Sequence, residues 1–413
     1  MPTTRLSDFK GINNKSHDSK MPDGFLRQAI DCFIENSLML VKREGLTEKD
    51  TEIFNAIWSD SKRFFAVRNG DLVEVIPNGT SYTFTTLRAG VGYMDMDFCE
   101  LNGNYYYVSR AVNGIITPAD TKTFGQALVP AQPTLSGATA GTLPAGTYLV
   151  ATTTLDAAGM ESGTTTPTSI TISANKQISL SNIFVSTDPR VTQVAVYCST
   201  ANGDKLFRQS VIATGVTTAA ITAVNTHNFP LGKIGTYPAP SGGHLIAYHY
   251  GHLYIAVNNF IFYSEPRPKY EQFDPICYYS FTGNITVILP LESGMWISTE
   301  TDGLFWLSGK TPHQGFNVQG DMSIYRKHNA CLKIGSPKPI PAEFIGNGAP
   351  ANGWMATAKE GIFLLMESGS FTVETSQINM PEFTFCAGAL VEDSDSFKYL
   401  AIVRGASVPT NTI

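Results

Sequence analysis

A twelve-residue stretch from Trp296 to Leu307, WISTETDGLFWL, returns 58 residues later as WMATAKEGIFLL, Trp354 to Leu365. Read side by side, both copies open on Trp, carry Thr three places on, turn at an acid and Gly, and repeat Phe and Leu on the way back. An acid-Gly or Asn-Gly pair between two runs of alternating apolar residues marks a β-hairpin, because Gly takes the positive φ that a tight turn needs. Three weaker copies precede: FFAVRNGDLVEV, DFCELNGNYYYV and LIAYHYGHLYIAV. The structural turn glycines are therefore Gly70, Gly103, Gly251, Gly303 and Gly361, and the repeat core is Trp296, Phe305, Trp354 and Phe363.

Once a distinct segment between the second and third copies is set aside, the hairpins recur at the interval of a β-propeller, whose blades bury their faces only against each other. The fold expected is mainly β: a propeller-like repeat of hairpins, with five or six blades and an inserted small β-sandwich. Residues 61–126 and 238–413 form the propeller, residues 127–237 the insertion, and residues 1–60 a polar arm followed by a first hairpin. The insertion opens on the Pro, Gly and Ala-rich VPAQPTLSGATAGTLPAG, and between Gln126 and Asn175 only Asp156 and Glu161 carry charge. Its strands are expected at Gly146 to Asp156, Val191 to Tyr197 and Leu206 to Ile212, the last two paired across Asn202-Gly203; short strands with frequent turns make a sandwich. Glu265 to Tyr279 and Lys310 to Pro350, rich in Pro and Gly, read as irregular connections. A last hairpin is expected from Phe385 to Val391 and Phe397 to Val403.

The opening resembles that of tailed-bacteriophage virion proteins, among them the packaged-DNA stabilisation and tail-nozzle proteins of short-tailed phages. The residues that carry this are Gly11-Ile12-Asn13-Asn14, then Met21-Pro22-Asp23-Gly24-Phe25-Leu26-Arg27-Gln28-Ala29, then Lys42-Arg43-Glu44-Gly45. Met21 stands where that family has Leu, and Asp31-Cys32 replaces an Asn-Val-like pair. The match covers about a tenth of the chain. It implies a structural part of a virion tail, a nozzle, hub or adaptor around the DNA channel, made in the host cytoplasm. It also implies tail and neck proteins as partners, a homo-oligomeric ring of six copies, and genomic DNA passing without sequence-specific binding. The inserted module is similar to the fibronectin-type-III-like modules of phage tail proteins.

Charge agrees with passage rather than grip. The formal net charge is −6, only 15% of residues are charged, and no Lys/Arg cluster is present, whereas holding phosphates takes basic side chains. Cys32, Cys99, Cys198, Cys277, Cys331 and Cys386 never fall at CxxC spacing, so neither a zinc knuckle nor a disulfide framework is expected. No apolar run approaches a membrane span, and the N-terminus lacks the apolar core of a signal peptide.

The residues that could do chemistry read as structural. Thr299 to Trp306 nearly matches the Asp-box of sialidase-type propellers, but Asp302 stands one residue off the box position, and no arginine cluster for a sugar carboxylate accompanies it. Asp95 and Asp97 could act as an acid and base pair or hold a cation; the blander reading is a solvated strand edge with Met94, Met96 and Phe98 in the core. His244, His249 and His252 bracket one hairpin and could hold a metal, yet nothing nearby supplies further ligands. Tyr105-Tyr106-Tyr107 and Tyr278-Tyr279 could stack on sugars, with at least one ring of each cluster in the core. No enzyme activity, cofactor or metal is expected. The rival expectation is a propeller that binds or cleaves glycans on the host surface.

Overall fold

A computed structural model describes residues 50–404 apart from gaps at 61, 80, 119–120, 123, 125–128, 158, 233–238, 267–270, 314–319, 346–351, 375–379, 381–382, 384 and 394–395. Before residue 50 it describes residues 11–13, 17, 20–22, 24–26, 32–34 and 40–42. In the N-terminal region β1 (Gly11–Ile12), within the polar arm, lies parallel to β2 (Phe25–Leu26). A hairpin, β3 (Cys32–Ile34) and β4 (Leu40–Lys42), follows as expected, while the turn between its strands and the Arg43-Glu44-Gly45 stretch lie outside the described residues.

Five four-stranded antiparallel sheets come next, each a meander whose strands pair in chain order. Blade one comprises β5 (Phe54–Ser59), β6 (Phe64–Arg68), β7 (Asp71–Asn78) and β8 (Ser81–Arg88); blade two comprises β9 (Met96–Leu101), β10 (Asn104–Ser109), β11 (Asn113–Ile116) and β12 (Thr121–Lys122). The chain then leaves for the inserted module, with β13 (Thr134–Ser136), β14 (Ala140–Leu143), β15 (Gly146–Asp156), β16 (Thr168–Ile172), β17 (Ile178–Ser181), β18 (Val191–Ser199), β19 (Leu206–Ala213) and β20 (Ala219–Ile221). It returns as blade three, β21 (Leu245–His249), β22 (His252–Val257), β23 (Phe260–Ser264) and β24 (Phe273–Ser280), and blade four, β25 (Ile285–Leu291), β26 (Gly294–Thr299), β27 (Leu304–Ser308) and β28 (Ser323–His328). Blade five has β29 (Lys338–Ile340), the short helix α1 (Ala342–Ile345), β30 (Gly353–Ala358), β31 (Gly361–Leu365) and β32 (Phe371–Val373), and a long hairpin, β33 (Phe385–Asp393) with β34 (Ser396–Arg404), stands beside it in a sixth position.

No blade buries both faces alone, and the cores lie between blades. Phe65, Leu72, Phe98 and Tyr107 join blades one and two; Leu101, Tyr106, Leu253 and Ile255 join two and three; Tyr254, Ile261, Met295 and Phe305 join three and four; Leu289, Trp296, Phe363 and Leu365 join four and five. Side chains of successive sheets interleave, and burial at about 25 cal/mol per Å² of apolar surface holds the ring together. The first strands of blades one to four neighbour one another in turn, and that of blade five neighbours β33, so first strands are innermost and fourth strands form the rim. This is a mainly β, propeller-like fold.

The five hairpins read from the sequence are not equivalent. Those at Gly70, Gly303 and Gly361 join the second and third strands of their blades, whereas those at Gly103 and Gly251 join the first and second. That difference accounts for the short step from Gly70 to Gly103. Asn69-Gly70 and Asn102-Gly103 have positive φ at both central residues, the geometry of a primed hairpin turn. Gly361 is not a central turn residue. It starts the return strand opposite Ala358, around a two-residue Lys359-Glu360 turn.

The expected irregular stretches also contain strands. Glu265 to Tyr279 holds most of β24, with Pro275 on the rim where its missing N–H breaks no ladder. Lys310 to Pro350 holds β28, β29 and α1. The inserted module is a sandwich as expected, with the sheet β16-β15-β18-β19 packed on β13-β17-β20 around Tyr148, Val150, Ile178, Leu180, Val194 and Val196.

Candidate functional site

Two polar constellations stand out, one at the N-terminal ends of the innermost strands and one where the module meets the propeller. In the first, Asp97 is the second residue of β9 and accepts the Ile246 N–H of β21 at 2.9 Å. Burial pushes its carboxyl up to about 6, opposed by the N–H groups of Ile246 and Phe98 and by the charge of Lys338. Lys338 opens β29, and burial lowers its ammonium while Asp97 draws it back up. These innermost strands belong to blades two and five, and the two charges feel each other without a direct ion pair. Asn55 and Thr286 are the extra residues of bulges in β5 and β25, and their Oδ1 and Oγ1 are buried without hydrogen-bond partners.

Asp97 is thus no solvated edge. Asp95 lies outside β9 and is exposed, its carboxyl raised by desolvation against the pull of Arg110, and Met94, expected in the core, is 44% exposed, while Met96 and Phe98 are buried. The two carboxylates sit in different environments. Among the described residues no group of three or more His, Cys, Asp or Glu is placed to hold a metal ion.

The three histidines are buried, and each is tied to a backbone carbonyl. His244 Nε2 meets the Ile285 oxygen at 2.7 Å, His249 Nε2 the Gly309 oxygen at 3.1 Å, and His252 Nδ1 the Ser264 oxygen at 2.7 Å. The first two join blade three to blade four. Burial holds all three below the usual histidine pKa. Tyr105, Tyr106 and Tyr107 are all buried and offer no face to a sugar; their hydroxyls meet Asp60, Glu271 and Arg88. Of the other cluster, Tyr279 is buried and Tyr278 is exposed beside Phe260 and Phe262. Asp302 occupies a surface turn, paired with Arg326 at 3.5 Å. Cys99, Cys198, Cys277, Cys331 and Cys386 are free thiols.

The repeat residues stitch blades four and five. Trp296 donates its indole N–H to the Met366 oxygen at 2.9 Å, and Trp354 donates to the Pro290 oxygen at 3.1 Å, each reaching into the other blade. In blade four Trp296 pairs with Trp306, but in blade five Trp354 pairs with Leu365, one residue further along the motif. A one-residue slip turns a strand's side chains to the other face. The two Trp side chains therefore enter the same interface from opposite sides, whereas Phe305 and Phe363 both face the preceding blade.

The second constellation had no signal in the sequence. Arg190, in the loop before β18, holds Asp188 with its Nε and Nη2 at 2.9 to 3.2 Å and reaches Glu271 of blade three with Nη1 at 3.1 Å. Glu271 also accepts the Tyr106 hydroxyl of blade two at 3.1 Å. The side chains of Asp188, Arg190 and Glu271 are only 7%, 9% and 8% exposed. Burial would raise the Asp188 carboxyl, yet its hydrogen bonds to Arg190 hold it below the usual range. The module is therefore clamped against blades two and three by a buried ionic contact.

No known family model matches the chain, and no curated protein does. Among solved structures it is similar to the WD40 β-propeller domain of Doa1, at 8% identity and TM-score 0.29, over 87% of this chain and 95% of that one. AztD of Citrobacter koseri gives 11% identity and TM-score 0.27, over 77% and 86% of the two chains. Sqt1 of Saccharomyces cerevisiae gives 10% and 0.24, over 78% and 98%. Superpositions this loose add nothing beyond the chain's own sheets.

Proposed function

We propose that this chain is a structural protein of a tailed-bacteriophage virion, a nozzle, hub or adaptor on the tail axis that contributes to DNA retention and ejection. The observation that carries the reading is the succession of segments: the Gly11-Ile12-Asn13-Asn14 and Met21 to Ala29 stretches, a strand pair, then a propeller. Low charge and the sign of the net charge fit walls that DNA slides past, since acidic surfaces repel phosphate and basic ones hold it. The passage in this reading lies between copies of the chain. Copies related by rotation and meeting head to tail close into such a ring, taken as six from the family the opening resembles.

Labelling the protein on purified particles and imaging them by electron microscopy tests this. A ring on the tail axis is expected. Fibres or spikes off the axis overturn it in favour of a host-surface glycan binder, the second reading. One observation favours that alternative: an open recess of about 550 Å³ on the inserted module, lined by Thr147, Leu149, Asn202, Gly203 and Asp204, offers hydroxyl, amide and carboxylate groups to a saccharide. A glycan array with the purified chain separates the two readings.

A further inference from the structure

A fourth strand on the rim of a blade exposes a row of unpaired N–H and C=O groups, and proteins usually blunt such an edge by shortness, proline, bulges or charge. Four of the five rim strands here are blunted in one of these ways. Strand β12 has two residues and β32 three. Strand β24 carries Pro275 and an irregular register against β23. Strand β28 carries Arg326, Lys327 and His328 within six residues.

Strand β8 is the exception. It spans eight residues, SYTFTTLR, pairs with β7 without interruption from Ser81 to Thr86 before a bulge at Leu87, and has neither proline nor charge before Arg88 at its end. Ser81, Tyr82, Thr83, Thr85 and Thr86 are exposed, and Tyr, Thr and Phe are strong strand formers.

We infer that β8 is an interaction surface whose partner is β8 of a second copy of this chain, joined antiparallel about Phe84. The strand is complementary to itself in that register. Phe84 meets Phe84 of the second copy, Thr83 meets Thr85, and Tyr82 meets Thr86. Tyr82, Phe84 and Thr86 share one face of the sheet and Thr83 and Thr85 the other, so a two-fold axis normal to the sheet brings like faces together. Thr–Thr and aromatic pairs are favourable across strands, and no like charges oppose each other. Two blades then merge into one eight-stranded sheet. This inference is independent of the tail reading and would hold for a glycan binder equally.

The test is the mass of the purified full chain by sedimentation velocity across a concentration series. The unaltered chain is expected to show a reversible step that doubles its mass. The double substitution Thr83→Lys with Thr85→Lys places like charges opposite each other twice per contact and is expected to raise the dissociation constant roughly tenfold or more. Thr83→Lys with Thr85→Glu places opposite charges there and is expected to keep the step. All three side chains are solvent-facing replacements, and matching circular dichroism melts show that each variant folds. A chain that stays monomeric at every concentration overturns the inference. So does an assembly indifferent to the two lysines, as one held by another surface would be, or one lost equally in both variants, which would exclude this register.

Discussion

Asp97 and the histidines of blade three respond to pH in opposite directions. Asp97 has a folded-state pKa near 6 against an unfolded 3.8, so between those values the folded protein binds the extra proton, and its stability falls as pH rises through the window. Asp97→Asn is therefore expected to stabilise the protein by about 1 to 3 kcal/mol at pH 7.5 and to change little at pH 3.5, as read by urea unfolding. The histidines behave conversely. Their folded values lie below the unfolded 6.5, so the unfolded chain takes up protons first and stability is lost as pH falls below 6.5. His252→Asn, whose amide N–H can take over the bond from Nδ1 to the Ser264 oxygen, is expected to show a smaller acid loss than the unaltered chain in melts from pH 7.5 to 5. If its pH profile is unchanged, His252 is not buried neutral.

At the scale of elements, the hairpins were legible because alternation and turn residues are local, and β15, the β18–β19 pair and the last hairpin lie where the sequence places them. Which hairpin holds which rank in its blade was not legible, since β6–β7 and β9–β10 carry the same Asn-Gly signal and only neighbours outside the hairpin set their rank. The slipped register of the Trp repeat was hidden for a related reason. Equal motif spacing accommodates a longer turn in blade four and a two-residue turn in blade five. The Arg190 clamp escaped because its partner is 81 residues away and a lone Arg has no pattern. Its removal makes a sharp test. Arg190→Met takes the guanidinium away from two buried carboxylates, Asp188 and Glu271, which is expected to cost about 3 to 5 kcal/mol of docking. Each part still has its own core, so limited proteolysis near the module's two connections should accelerate while the strand content seen by circular dichroism persists.

For the whole molecule, the module and the ring have separate cores, with Tyr148 and Val196 in one and the inter-blade residues in the other. Replacing residues 132–236 by a short Gly-Ser linker is expected to leave a propeller that still unfolds in one cooperative step. Because that deletion also removes Arg190, it should be compared with the same deletion carrying Glu271→Gln. The neutral version is expected to be the more stable of the two, because the carboxylate has lost the Arg190 guanidinium. Loss of cooperativity in both would mean that the module belongs to the propeller's core.

The position of that module also bears on how the chain finds its fold. Blades two and three share an apolar interface although more than a hundred residues part them, and an unstructured loop of that length would delay their meeting by the entropy of closing it. The module has a core of its own and can fold before the two blades meet. Once folded, it acts as a short tether between residues 122 and 245, and Arg190 gives blade three a fixed point to land on at Glu271. The insertion shortens the search that its own length would otherwise impose.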